Sequence, residues 1–342
     1  MTNYIKLKIP TIRHSDFKMM SQTLSIKKTN YYYLNKASNY KKNFDEFKKI
    51  QYAKVNQDET FFKHKNKNLF QKRSEILGEE IKKRFKKGVK ILDYGCNKGE
   101  LLKELKKSGY ANLFGHDINK NFNKILYKEK INFLNFDELV LHKFDLIIFS
   151  HSLSYVKNLS TLIKKIKRIL TRDGCIIINC PDVSKRQFSL CFGDQKFYFE
   201  KDMIKNLFQR IGTVKFIKSN FLQNDIISII SKKKKKKYYL KKISDQNLKI
   251  LNLKIKKLTK IKNSEKNIEI FHYNFQSKII SYFLGENKSK IVTKEKKKIK
   301  DKNIVNINNS FYSNYPIIIS KSKVNEKIIS SYQQRNKKIY LI

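Results

Sequence analysis

The chain has no tryptophan, three prolines and ten glycines in 342 residues. It is rich instead in Lys, Asn, Ile, Tyr and Phe, residues with AT-rich codons, so genome composition is a sufficient cause of the bias. No apolar run reaches the length a bilayer requires, which excludes a helical membrane span and predicts a soluble protein. Residues 1–20 lack an apolar run followed by small residues, so no secretory signal is expected and the predicted location is cytoplasmic. The four cysteines, Cys96, Cys175, Cys180 and Cys191, lack zinc-ligand spacing. Buried free thiols in a reducing compartment are the expectation, and no metal site is predicted.

Acidic residues are also scarce. The 76 basic side chains against 29 acidic ones leave a net charge of +47. Such a charge invites a nucleic-acid partner. The lysines are, however, spread over every predicted helix face and form no aromatic-interleaved stripe. No specific nucleic-acid partner is therefore expected, although salt-sensitive adhesion to polyanions is.

Length favours two domains or one with appendages. Hydrophobic residues at 40% and aromatics at 13% suffice for a sizeable core. A polar N-terminal extension, 1–65, has weak periodicity around Tyr40 to Tyr52 and is a candidate contributor to a ligand site in the zone that follows. Residues 66–232 then alternate strand and helix signals. A helix is predicted over Leu69 to Phe85, with Phe70, Ile76, Leu77, Ile81 and Phe85 at helical spacing. Strands follow at Lys90–Tyr94, Asn112–Asp117, Ile131–Leu134, Phe144–Phe149 and Cys175–Cys180. Helices are predicted at Glu100–Lys107, Leu159–Leu170 and Lys201–Ile211, with Arg172-Asp173-Gly174 as a turn. A strand pair, Gly212–Lys218 and Asp225–Ser231, closes this zone. Six consecutive lysines, Lys232 to Lys237, open a basic linker or helix, 233–262. Within 263–342, strand signals at Ile268–Phe271, Lys290–Thr293, Pro316–Ser320 and Lys338–Ile342 bracket helices at Gln276–Leu284 and Asn325–Gln334. The fold class is α/β: a mainly parallel sheet plus a second, smaller α/β domain.

The chemistry concentrates where the first strand of 66–232 ends. Asp93 precedes Gly95-x-Asn97-x-Gly99, which opens a helix. Glycine lets the backbone turn sharply and a ligand approach it, and a helix N-terminus turns free N–H groups on that ligand. Dinucleotide sites keep three glycines as GxGxxG. Here the spacing is GxNxG, and the upstream acid suits the ammonium of a methionyl group better than a pyrophosphate. Asp117, at the end of the next strand, can accept both hydroxyls of a ribose. Phe136 or Asp137, after the third strand, are candidates for the border of an adenine. His151 and Tyr155 lie in the loop after the fourth strand, where a base near neutral pH would be needed.

The segments DYGCNKGELL, GHDI, FDLIIFSHSLSYV and ILTRDGCIIINCP resemble the core of the class I S-adenosylmethionine-dependent methyltransferases. That resemblance implies a Rossmann-like sheet and S-adenosyl-L-methionine as cofactor. It implies cofactor contacts at Asp93, Tyr94, Gly95, Cys96, Asn97, Gly99, Asp117, Ile118, Phe136, Asp137 and Ser150, with His151 and Tyr155 as candidate catalytic residues. The GCNKGELL form and the stretch from Phe192 to Phe199, FGDQKFYF, are similar to the sugar C-methyltransferase-like group. The zinc module of that group is absent, since no cysteine precedes Cys96. In the C-terminal zone the group's Gly-rich turn reads His272-Tyr273-Asn274-Phe275-Gln276-Ser277, without glycine.

The expected activity is methyl transfer to a small-molecule or glycan-type acceptor, anionic in character, with a nucleotide-activated sugar as one possibility. The alternatives are an RNA-associated methyltransferase or basic nucleic-acid-binding protein, and a degenerate scaffold without catalysis. Oligomeric state is left open.

Overall fold

The computed structural model describes residues 8–12, 19–28, 32–35, 61–191, 195–232, 244–271, 275–293, 304–306, 310, 313, 315–319, 326–335 and 337–342. The weak periodicity at Tyr40 to Tyr52, the start of the FGDQ stretch (192–194), most of the lysine run and His272 to Asn274 lie outside them. Two compact units are present. One is built mainly on Met20–Arg186 and Phe192–Ser244, the other on Gln187–Cys191 and Asp245–Ile342.

The first unit begins with strands β1 (Lys8–Ile12), β2 (Met19–Lys28) and β3 (Tyr32–Asn35), which form a small sheet completed by β11 (Phe197–Tyr198). The hairpin β4 (Phe61–Lys63) and β5 (Phe70–Lys72) leads into α1 (Arg73–Lys82). The stretch predicted as helix from Leu69 thus opens as a strand, and only its second part is helical. The Glu75 carboxylate accepts the Lys72 N–H at 2.9 Å and fixes that starting point.

The central sheet follows. Its strands are β6 (Ile91–Tyr94), β7 (Leu113–His116), β8 (Asn132–Phe133), β9 (Phe144–Ser150), β10 (Leu170–Pro181), β12 (Thr213–Ile217) and β13 (Asp225–Ser231). Their order is β12-β13-β10-β9-β6-β7-β8. The run from β8 to β10 is parallel, and β13 is antiparallel to both β10 and β12. Helices α2 (Glu100–Lys107), α3 (Phe122–Lys128), α4 (Leu159–Ile169) and α5 (Lys201–Phe208) complete this α/β, Rossmann-like layer fold.

Parallel strands covered on both faces must be apolar throughout. Leu146, Ile147, Ile148 and Phe149 in β9 are all fully buried. Each such side chain contributes about 1.5–3 kcal/mol by leaving water. On α2, Leu101, Leu102 and Leu105 recur at helical spacing and are buried in the same core. The Asn158 side chain accepts the Thr161 N–H at 3.1 Å and starts α4.

Arg172-Asp173-Gly174 differs from expectation. It is not a turn that ends a helix but an irregularity inside β10, where the pairing with β9 shifts register between Leu170 and Cys175. Gly174 is there for space. A Cβ on it would come within 2.8 Å of the Leu170 side chain.

The second unit contains α6 (Gln246–Ser264), β14 (Ile268–Phe271), α7 (Phe275–Leu284), β15 (Ser289–Thr293), β16 (Ile304–Asn306), β17 (Ile317–Ile319), α8 (Glu326–Gln333) and β18 (Ile339–Leu341). Its five strands are all parallel, in the order β16-β15-β14-β17-β18. This is the second, smaller α/β layer. The buried Glu269 carboxylate is paired with Lys337 Nζ at 2.7 Å and accepts Ser313 Oγ–H at 2.9 Å. A buried charge needs that degree of compensation.

Candidate active site

Strand order reverses between β6 and β9, and ligands of such sheets lie beyond the carboxyl ends of the strands at that point. β6 ends at Tyr94, and the chain then enters the left-handed region at Gly95 (φ 84°), Asn97 (φ 51°) and Gly99 (φ 76°). The turn is pinned from β7, since the amides of Gly95 and Cys96 both donate to the His116 carbonyl, at 2.6 and 3.0 Å. Asp117 closes the other side. One of its carboxylate oxygens accepts the Asn97 N–H at 3.0 Å and the other the Asn119 N–H at 2.9 Å. Ser152, in the loop after β9, donates its hydroxyl to the Tyr94 carbonyl. That loop comes so close that a Cβ on Gly95 would lie 2.4 Å from the Ser152 Cβ.

These elements enclose a cavity of about 550 Å³, within the range of small-molecule sites. Of the residues singled out by sequence, Tyr94, Gly95, Asn97, Asp117, Ile118, Phe136, Ser150, His151 and Tyr155 line it. Asp93, Cys96, Gly99 and Asp137 do not. Asp93 and Cys96 are buried in the first unit. Burial pushes the Cys96 thiol up, and the Asp93 and Asp117 carboxylates add to it, so the thiol is neutral packing. Asp137 precedes a short 3₁₀ turn, Glu138–Leu141.

One wall is aromatic. Tyr94 lies 4.7 Å from the His116 ring, which lies 6.0 Å from Phe136. Phe136 is 41% exposed, and Lys165 Nζ sits 3.1 Å from its ring centroid. Burial, with the Asp117 charge, pushes the Tyr94 phenol up to about 12. Burial also holds the His116 imidazole below its ordinary value, against the Leu134 carbonyl bonded to its Nδ1 at 2.8 Å.

The cavity is lined as well by His151, itself at φ 54°. Its amide donates to the Asn179 carbonyl at 2.8 Å, and its Nε2 lies 2.8 Å from Asp225 Oδ2. Asn179 Nδ2 donates to the same oxygen at 3.1 Å, and an Arg73 guanidinium nitrogen lies 3.8 Å away. Burial alone would raise the Asp225 carboxyl. His151, Arg73 and Asn179 outweigh it and hold the group at about 2. Burial and then Arg73 keep the His151 imidazole below its ordinary value, against the pull of Asp225. Tyr155, on a 3₁₀ turn, receives a hydrogen bond from Gln195 Nε2 at 3.4 Å.

The sequence reading assigned no role to Asp225, Asn179 or Arg73, and it missed His116, Asn135, Lys120 and Lys157 in the cavity wall. His116 and Asn135 flank positions already singled out, and the ends of successive parallel strands were the available signal. Asp225 and Arg73 had none, because 152 positions of chain separate them.

One atom of the cavity wall fits the methionyl end of a nucleoside sulfonium. Asn97 Oδ1 is buried and has no hydrogen-bond partner among the described residues. An orphaned acceptor at the wall of a cavity calls for a donor, which the ammonium of a methionyl group provides. Among the described residues no group of three or more His, Cys, Asp or Glu could hold a metal ion, and no helix is long and apolar enough to cross a membrane.

Residues 61–215 match the family described as a methyltransferase domain. That segment runs from β4 into β12 and includes the turn, the aromatic wall and His151. The part of the first unit that holds the cavity is thus similar to a methyltransferase domain. No curated protein matches the chain. Among solved structures, a Nostoc punctiforme protein provisionally described as an O-methyltransferase is 14% identical, over 46% of this chain and 55% of its own length, with TM-score 0.38. This chain thus spans about half of that protein. A Pyrococcus horikoshii protein is 19% identical, over 47% of this chain and 90% of its own, with TM-score 0.39. A Mesorhizobium loti S-adenosylmethionine-dependent methyltransferase is 14% identical, over 45% and 96%, with TM-score 0.37. None of these likenesses bears on the acceptor.

Proposed function

We propose that the protein transfers the methyl of S-adenosyl-L-methionine to a small, anionic acceptor, of which a nucleotide-activated sugar is the leading class. The supporting observation is the charge of the cavity wall. Lys120 and Lys157 line it against a single carboxylate, Asp117, which is already bonded to two turn amides. Such a wall attracts anions. The FGDQ stretch adds support through Gln195, which reaches the Tyr155 hydroxyl.

When bound, the cofactor would supply an electrophilic methyl group. The chain has three tasks: to hold the nucleoside, to orient the acceptor and to remove its proton. Asn97 and Asp117 hold the methionyl and ribose ends, with Phe136 and Ile118 against the base. His151 and Tyr155 lie on the acceptor side, where the neutral His151 imidazole is the candidate base.

The test is incubation with methyl-labelled cofactor and either a nucleotide-sugar pool or total RNA. Label is expected in the nucleotide-sugar fraction. Label in RNA instead would move the function to the nucleic-acid reading. No transfer to either, despite bound cofactor, would favour a scaffold without catalysis.

A further inference from the structure

A lone histidine in a loop is most often a bystander, and His151 differs in three respects. Its backbone is in the left-handed region, at φ 54°, where a non-glycine residue is held only at a cost on the order of 1 kcal/mol. Its ring reaches a buried carboxylate at the start of β13, 74 positions away. That carboxylate is itself fixed from two further elements, by Asn179 on β10 and Arg73 on α1.

The hydrogen bond sets the tautomer. An ionised carboxylate only accepts, so the proton between His151 and Asp225 resides on Nε2. In the neutral ring the lone pair is then on Nδ1. The ring is about one-fifth exposed and lines the cavity, whereas Asp225 is nearly buried. The bare nitrogen is left for whatever enters the cavity.

We propose that Asp225, held by Asn179 and Arg73, is a positioning residue that makes His151 a base through Nδ1 for the proton of the methyl acceptor. The inference rests on the methyl-transfer reading above and deepens it. As the acceptor bonds to the methyl carbon, the electron pair of the carbon–sulfur bond leaves with sulfur. The acceptor's proton passes to Nδ1, and the resulting imidazolium is stabilised by the Asp225 carboxylate until water takes the proton. The charged groups around the ring are Asp225, Arg73 and Arg186. The two arginines oppose protonation, so the ring is neutral and ready at neutral pH.

The experiment is NMR of the full chain labelled with nitrogen-15 histidine, with the His151 signals assigned through His151→Gln. S-adenosylmethionine and S-adenosylhomocysteine are the probes, and calorimetry of each runs alongside. The wild type is expected to show Nε2 protonated and Nδ1 bare near pH 7.5. The cationic sulfonium is expected to lower the His151 titration midpoint further than the neutral thioether does, which only a ring near the methyl can sense. In Asp225→Asn the single tautomer is expected to become a mixture, and Asp225→Glu to restore it in part. A proton on Nδ1 in the wild type would overturn the proposal, and so would an identical response to the two probes. A wild type in which neither probe binds contradicts the methyl-transfer reading itself. Should Asp225→Asn fail to fold, the wild-type tautomer and the difference between the probes still decide.

Discussion

His151 ties the site to the stability of the fold through its proton. A histidine in the unfolded chain titrates near its ordinary value of about 6.5, whereas burial and Arg73 hold His151 lower in the folded protein. Between those two values the unfolded chain binds a proton that the folded one does not. The stabilisation is therefore complete above about pH 6.5 and is lost as pH falls toward the folded value. Asp225 has the same sign in a lower window. With its carboxyl held at about 2, its contribution is present above the unfolded value of 3.8 and fades as pH falls toward 2. His151→Gln should therefore lose less stability than the wild type between pH 7 and pH 5. Urea midpoints at both pH values measure this, and the difference in slope is at most about 1.4 kcal/mol per pH unit. Equal slopes would mean that the fold does not lower the His151 titration, and a steeper loss in His151→Gln that the fold raises it. The baseline drop from the lost hydrogen bond does not affect the comparison.

At the scale of elements, the turn after β6 holds the cofactor site open. Gly95 combines φ 84° with Ser152 directly behind it. Gly95→Ala is expected to cost about 2 kcal/mol or more, from the strained backbone and the clash together, and to weaken binding of S-adenosylhomocysteine. A urea melt with a parallel binding titration checks both; unchanged values would show that the turn is not as tight as described. This turn was legible in the sequence because its cause is local: three left-handed positions within five residues leave a pattern of glycine and asparagine. Strands β6, β9, β14 and helix α2 were legible as well, through apolar runs and helical spacing within single segments. Helix α3 was not. No helix was placed between Asp117 and Ile131, since seven residues with Phe122, Ile125 and Leu126 among lysines and asparagines give too short a period. Strand β11 pairs only two residues, with β3 far back in the chain, and has no local signal. The His151–Asp225 pair was hidden for the same reason. It depends on β10 and β13 pairing in the register that sets Pro181 opposite Asp225.

At the scale of the molecule, the α/β class and the presence of two α/β sheets followed from the alternation of strand and helix signals, a property summed over many residues and so robust to local error. The acceptor did not follow, because the wall that meets it is assembled from the ends of several strands and from Lys120 and Lys157, whose loops carry no pattern. The net charge of +47 sets a further condition on any binding experiment. Polyanions will bind through released counterions, with affinity falling steeply as salt rises. S-adenosylhomocysteine carries no net charge, so its binding in the cavity should be nearly indifferent to salt. Calorimetry of S-adenosylhomocysteine with the full chain, at low and at high salt, therefore separates the site from the surface. The account predicts saturable binding of one molecule per chain at both salt concentrations, weakened at least about tenfold, roughly 1.4 kcal/mol, in Asp117→Ala. No detectable heat from the wild type, or binding that vanishes at high salt and is untouched by Asp117→Ala, would contradict it.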